Sequence, residues 1–255
     1  MKRLFRNNHT SAQHCSPEHT PVPELQDGQL AAVYCAPRRF GDFCDFARIS
    51  PTRVLFILLD VAGPSRENQG IVAAAQNMFR RSASELLTNE DTNEAEAMAD
   101  LCLRLNSSIL KAAGRACSCP AFAGCYNEGL ATVCYFNAGH TPGLLRHGQG
   151  ITELPATSLP LGLFSHLTAD APTFAVAPGA TFLVASRGLV EARRKSKEFG
   201  LSHVKEYLLR SGEQAAPKIC STLLEHAQQF ASPGTPKNDM TVLALSRADL
   251  STSRE

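Results

Sequence analysis

The sequence of 255 residues has no stretch of about 18 uncharged apolar residues, the length a membrane-spanning helix requires. Its most strongly apolar run, residues 54–59, stops at once at Asp60. Net charge is nearly absent as well: 25 Lys and Arg against 24 Asp and Glu leave +1. That removes the basic field with which a nucleic-acid binder displaces counterions from phosphates. The basic N-terminus lacks the continuous apolar centre of a secretory signal. The nine cysteines include no CxxC pair of the zinc-site type, only the CxC of Cys117 and Cys119. An odd set in a chain this long argues against a disulfide framework and reads as reduced, mostly buried thiols in a cytoplasmic protein. No GxxxxGKS loop, HExxH, GxSxG or helix-leading GxGxxG occurs.

What is present describes a globular chain. Hydrophobic residues make up 44%, and 17 Gly with 15 Pro are ordinary usage, which excludes disorder throughout, collagen and coiled coil. Residues 1–24 are polar and aperiodic and read as a flexible arm, residues 25–248 as one domain, and residues 249–255 as a tail. Strand-like runs at 29–35 and 53–60 come first, the second apolar enough to be buried on both faces. A connection over 63–70 leads to helical spacing over 71–87 and again over about 93–113, where Gly114 stands as a helix stop. Hairpins follow at 121–126 with 130–137 and at 143–146 with 151–154, then strands at 180–185 and 240–246 enclosing helices at 201–210 and 215–230. Strands and helices grouped in this way point to an α+β layered sandwich with antiparallel pairing.

The acidic residues at strand ends carry the chemistry. Asp60 closes the most apolar strand and leads into Val61-Ala62-Gly63, while Asp42 and Asp45 lie just before that strand in Gly41-Asp42-Phe43-Cys44-Asp45-Phe46. Hard divalent cations prefer oxygen ligands, so two or three such carboxylates suit a metal site; each also suits a turn or helix cap. The basic run Arg193-Arg194-Lys195-Ser196-Lys197 reads as a solvated face, with docking of an acidic partner as the alternative.

Taken in order, GDFCDF, LLDVAG, FNAGHTPGLL, LPLGLF, SRGLVEAR with EFGL, and NDMTVLAL resemble the motif series of PPM-type metal-dependent serine/threonine phosphatases, in their bacterial SpoIIE-like branch, over residues 29–247. The resemblance implies an α-β-β-α sandwich of two antiparallel sheets flanked by helices. It also implies hydrolysis of phosphoserine or phosphothreonine on a regulatory protein of the anti-sigma-factor-antagonist type, with Mn²⁺ or Mg²⁺ in the cleft. Carried over by residue, it implies metal ligation by Asp42, by Asp60 as the bridging carboxylate and by the Val61 carbonyl. His140 matches a motif histidine that also suits ordering of its hairpin.

Two positions depart from the pattern. Arg187, in Ser186-Arg187-Gly188, stands where the family commonly has a ligating Asp; Asn238 stands at another, unless the loop presents Asp239 instead. A unit charge about 4 Å from another contributes roughly 4 kcal/mol at an effective dielectric near 20, and a divalent ion doubles it. An arginine there should severely weaken a second ion, so one ion is expected rather than two. Residues 64–69 are expected to lengthen the loop after Asp60. Three readings follow: a phosphatase using Asp42, Asp60 and Asp239 with Arg187 assisting at the phosphate; a pseudophosphatase in which Arg187 pairs with Asp60 and the domain binds a phosphoprotein without cleaving it; or an interaction domain that uses only its surface. The arginine is assigned a phosphate-facing role because its guanidinium binds phosphate bidentately.

Overall fold

The computed structural model describes residues 17–37, 41–63, 65–232 and 238–248. In chain order the elements are β1 (Glu18–His19), β2 (Gly28–Cys35), β3 (Asp42–Arg48), β4 (Arg53–Asp60), α1 (Ser65–Leu86), α2 (Glu94–Ala113), β5 (Ala121–Asn127), β6 (Thr132–Ala138), β7 (Gly143–His147) and β8 (Gly150–Leu154). They continue as β9 (Thr173–Ala175), β10 (Thr181–Ala185), α3 (Arg187–Val190), β11 (Arg193–Arg194), β12 (Lys197–Glu198), α4 (Gly200–Arg210), α5 (Ala216–Ala231) and β13 (Met240–Arg247).

Two antiparallel sheets form the centre, one ordered β1-β2-β13-β10-β7-β8 and the other β3-β4-β5-β6-β9. The alternation of side chains along each strand builds the layers. In β4, Leu55, Ile57 and Leu59 pack under α1 and α2, while Phe56 and Leu58 face the other sheet. In β13, Val242 and Ala244 pack under α5, while Leu243 and Leu245 face inward against β4's sheet. Strands buried on both faces explain the unbroken apolar run at 54–59, and the layer order is α-β-β-α, as the resemblance implied. No helix among the described residues is long and apolar enough to cross a membrane.

Several boundaries differ from expectation. Residues 42–48 form a strand paired with β4, and β5 runs on to Asn127, so the turn falls on 128–131 with Ala131 at φ 52°. The helix after Asp60 begins at Ser65, not at 71, so residues 65–69 are helical and do not form the lengthened loop expected after Asp60. Its start is held by Asn68, whose Nδ2 donates to the Val61 carbonyl at 3.0 Å and the Gly63 carbonyl at 3.4 Å. Of the expected arm, residues 1–16 lie outside the described residues, and Glu18–His19 pair with Val33 and Tyr34 of β2. The expected tail over 249–255 also lies outside them. Among the described residues seven cysteines are free thiols, but Cys35 is disulfide-bonded, against the expectation of reduced thiols; sequence spacing does not tell which thiols the fold brings together. Asn93 caps α2 by accepting from Ala95 N and Glu96 N, and Gly114, at φ 64°, ends it.

A buried ion pair locks the end of the molecule where β4 begins. Arg53 donates from Nε to Glu94 at 2.7 Å and from its two Nη atoms to the carbonyls of Asn89 (2.6 Å) and Glu90 (2.9 Å). The guanidinium thereby ties the start of β4 to the α1–α2 connection. Removing it leaves those carbonyls and Glu94 short of donors in a buried place, which costs about 3 kcal/mol. Arg53→Met, which keeps the aliphatic volume, is expected to lower the thermal midpoint by about 6–12 °C, read by calorimetry. An unchanged midpoint would mean water replaces the guanidinium without loss.

Candidate active site

The site lies where four strand ends meet, two from each sheet. Asp42 opens β3 directly opposite Asp60, which closes β4, so the antiparallel register sets two carboxylates side by side. From the other sheet, β10 ends at Ala185 and passes through Ser186 into Arg187, while β13 begins just after Asn238 and Asp239. Hydrogen bonds join these ends: Ser186 N to the Thr241 carbonyl and Thr241 N to Ser186 Oγ, both 2.9 Å, and Val61 N to the Gly41 carbonyl at 2.6 Å. Thr241 Oγ1 donates to Asp42 Oδ2 at 2.7 Å, and Asp42 N donates to Asp239 Oδ2 at 3.1 Å. Gly41, Asp42, Asp60, Arg187, Gly188, Asn238 and Asp239 line one narrow cleft.

The Arg187 guanidinium closes that cleft. Its Nε stands 3.2 Å from Asp60 Oδ2, with the arginine side chain 49% exposed and the aspartate side chain only 11%. Room for the centre of a water-sized sphere amounts to about 10 Å³, enough for about one water and not for a hydrated ion. Gly188 permits the close approach: a Cβ there would stand 2.0 Å from the Asp239 carbonyl oxygen, so any other residue would push β13's start away from α3.

Charge in the cleft is unbalanced. Among the described residues three aspartates face one guanidinium. Burial, with the charge of Asp60 adding to it, pushes the Asp42 carboxyl up to about 8, although the Thr241 hydroxyl offsets part of the shift. His140 is buried behind the Arg187 turn. Its N–H donates to Asn137 Oδ1 at 2.8 Å, its Nδ1 lies 3.0 Å from Thr141 Oγ1, and that hydroxyl donates to the Ala185 carbonyl. Burial, with a smaller contribution from Arg187, pushes its pKa down to about 4, so the ring is neutral near pH 7.

The fold therefore gathers Asp42, Asp60, Arg187, Asn238 and Asp239 in one place. Val61 is fully buried and is not among the lining residues; its carbonyl accepts from Asn68. Asp45 faces elsewhere and pairs with Arg80, Nε to Oδ2 at 2.8 Å, which removes it from the candidate ligands. Asn238 is exposed whereas Asp239 is 3% exposed and spends an oxygen on the Asp42 amide. Thr241 and Ser186 are functional neighbours that the motif reading passed over. The signal for Thr241 was a polar residue on the inward face of an otherwise apolar strand.

Oxygen donors and an excess of carboxyl groups over cations among the described residues suit a hard divalent cation on Asp42 and Asp60. Among the described residues no three His, Cys, Asp or Glu side chains stand ready to hold an ion. Asp42 is turned to Thr241, Asp60 to Arg187 and Asp239 to the Asp42 amide, so ion binding requires Arg187 to leave Asp60.

The family model for stage II sporulation protein E (SpoIIE) matches residues 50–248. No curated protein sequence matches the chain significantly. Among solved structures, the RsbU and RsbW domains of Rv1364c from Mycobacterium tuberculosis align with a TM-score of 0.69 at 20% identity, covering 90% of this chain and 64% of that one. The PP2C phosphatase domain and a fragment of the regulatory domain of SpoIIE from Bacillus subtilis give 0.69 at 15% identity, covering 87% and 64%. RsbX in complex with magnesium gives 0.64 at 13% identity, covering 91% and 100%. The chain thus spans under two thirds of the first two, and identities this low establish the PP2C-type fold alone.

Proposed function

The chain belongs to the SpoIIE family of PPM-type phosphatases, and from that membership we propose that it hydrolyses phosphoserine or phosphothreonine on a regulatory protein with a single Mn²⁺ or Mg²⁺ ion. The observation that carries this reading is the pairing of Asp42 opposite Asp60, with Asp239 against them and, among the described residues, one half-exposed guanidinium lining the cleft. Asp42 and Asp60 would hold the ion. When bound, it supplies positive charge against phosphoryl oxygens and acidifies water in the cleft. Asp239 fixes the Asp42 backbone through its amide, and Thr241 orients the Asp42 carboxylate. Arg187, displaced from Asp60, turns its fork of donors to the substrate phosphate, the position from which it stabilises charge in place of a second ion.

The pseudophosphatase reading has the Arg187–Asp60 pair in its favour and the charge balance against it. Among the described residues the carboxyl groups of Asp42, Asp60 and Asp239 outnumber one guanidinium, even with Asp42 largely protonated near pH 7, so the cleft disfavours a phosphate dianion until a cation enters it. Release of phosphate from a phosphoserine peptide, measured with Mn²⁺, with Mg²⁺ and with chelator, tests the proposal. Turnover that appears with either ion and vanishes in chelator is expected. No turnover with any divalent ion, together with peptide binding that needs none, would leave the pseudophosphatase.

A further inference from the structure

The hairpin of β11 and β12 stands apart from both large sheets as a two-stranded ribbon of its own. Only Glu191 and Ala192 separate it from α3, the helix that carries Arg187. Its base is anchored: Ala192 and Phe199 are buried, Phe199 N donates to the Ala192 carbonyl at 2.7 Å, and the Phe199 ring stacks on His203 and meets Phe230 edge-on. Its tip is exposed and basic. Arg193 pairs with Glu198, but among the described residues Arg194, Lys195 and Lys197 form no ion pair.

The arrangement of these cations works against the hairpin itself. Arg194 and Lys197 are direct cross-strand partners, so two like charges stand opposite one another, a destabilising pairing. Lys195, at the tip between them, sits at φ 56°, a conformation glycine adopts freely and a residue with a Cβ resists. Three positive charges are thus concentrated on one small rigid support at the expense of its own folding preference. An anionic ligand relieves that repulsion, and nothing within the described residues does.

We propose that the β11–β12 hairpin is a docking site for an acidic polypeptide segment of the protein partner, held by Arg194, Lys195 and Lys197 on the segment that follows the Arg187 helix. An acidic peptide fits better than nucleic acid because the chain as a whole carries a net charge of only +1, and three cations on a short ribbon do not track a phosphate backbone. The assignment deepens the phosphatase reading by giving the substrate protein a second point of attachment, and it rests on that reading only for the identity of the partner.

The test titrates a fluorescent, phosphate-free peptide of alternating Asp and Gly into the full chain by anisotropy at low ionic strength, in chelator. Docking is expected to weaken steeply with added salt. Arg194→Glu/Lys195→Glu/Lys197→Glu is expected to weaken it at least about tenfold. Lys195→Gly, which relieves the positive φ and therefore folds at least as stably, is expected to weaken it severalfold. Affinity unchanged in both variants overturns the proposal, as does equal or tighter binding of single-stranded oligonucleotide or phosphatidylserine vesicles at the same site. Because the probe carries no phosphate and the buffer no divalent ion, loss of Mn²⁺-dependent turnover with docking intact would count against the catalytic reading alone.

Discussion

Arg187→Asp is expected to raise the affinity for Mn²⁺ by about a thousandfold and to change the stoichiometry from one ion to two. The substitution removes the guanidinium that now holds Asp60 at 3.2 Å and places a fourth carboxylate in the cleft lined by Asp42, Asp60 and Asp239. At about 4 Å and an effective dielectric near 20, each exchange of a repulsive for an attractive unit charge is worth several kcal/mol to a divalent ion. Desolvation and the half-exposed position of residue 187 reduce that to about 4 kcal/mol, or a thousandfold. The same change has an opposite effect on the ion-free protein. Four clustered carboxylates without a counter-charge are expected to lower its thermal midpoint in chelator, and Mn²⁺ is expected to restore it through binding to the native state alone. Thermal scans of both proteins with and without Mn²⁺ read this directly. An Arg187→Asp protein whose midpoint does not respond to Mn²⁺ would show that residue 187 and Asp60 do not share an ion.

Asp60→Asn is expected to reduce Mn²⁺-dependent phosphate release at least about a thousandfold while leaving the fold intact. Asp60 is the carboxylate both of whose neighbours matter, Asp42 across the β3–β4 ladder and Arg187 across the cleft. The amide keeps the shape and an acceptor oxygen but removes the charge that competes for the cation. It also removes the repulsion that Asp42 feels, so the substitution costs little stability: the half-exposed guanidinium that loses its partner is solvated by water. The expected result is therefore a catalytic loss with a thermal midpoint unchanged or slightly raised. A variant that retains turnover would mean that hydrolysis does not use this carboxylate, and a variant that unfolds would mean the pair serves the fold.

Much of this was legible before any coordinates. The eight-residue run ending in Asp60 read as a strand buried on both faces, and the four-residue spacing of Ala97, Leu101, Leu105 and Ile109 as a helix facing one layer, and both formed. Asp42 and Asp60 came forward as ligands through the motif resemblance, because on spacing alone each equally suits a turn or helix cap. The strand at Asp42–Arg48 was not, since Phe43 packs under the helices and Phe46 between the sheets, with Asp42, Cys44 and Asp45 interrupting any clean alternation. Ser186, Thr241 and Asn68 were not legible either. Their roles arise from the pairing of β10 with β13 and from the first turn of α1, contacts between common residues that carry no local signature. The departures at Arg187 and Asn238 were visible as letters, but that Arg187 reaches Asp60 and that Asp239 turns its carboxylate to the Asp42 amide are facts of three-dimensional packing.

Calorimetric titration of the unaltered chain with Mn²⁺ most directly addresses whether the Asp42–Asp60 pair accepts a cation once Arg187 gives way. Saturation at one equivalent is expected, with heat that disappears in Asp60→Asn. Two equivalents bound in the unaltered chain, or none while a phosphorylated peptide still binds in chelator, would contradict the account.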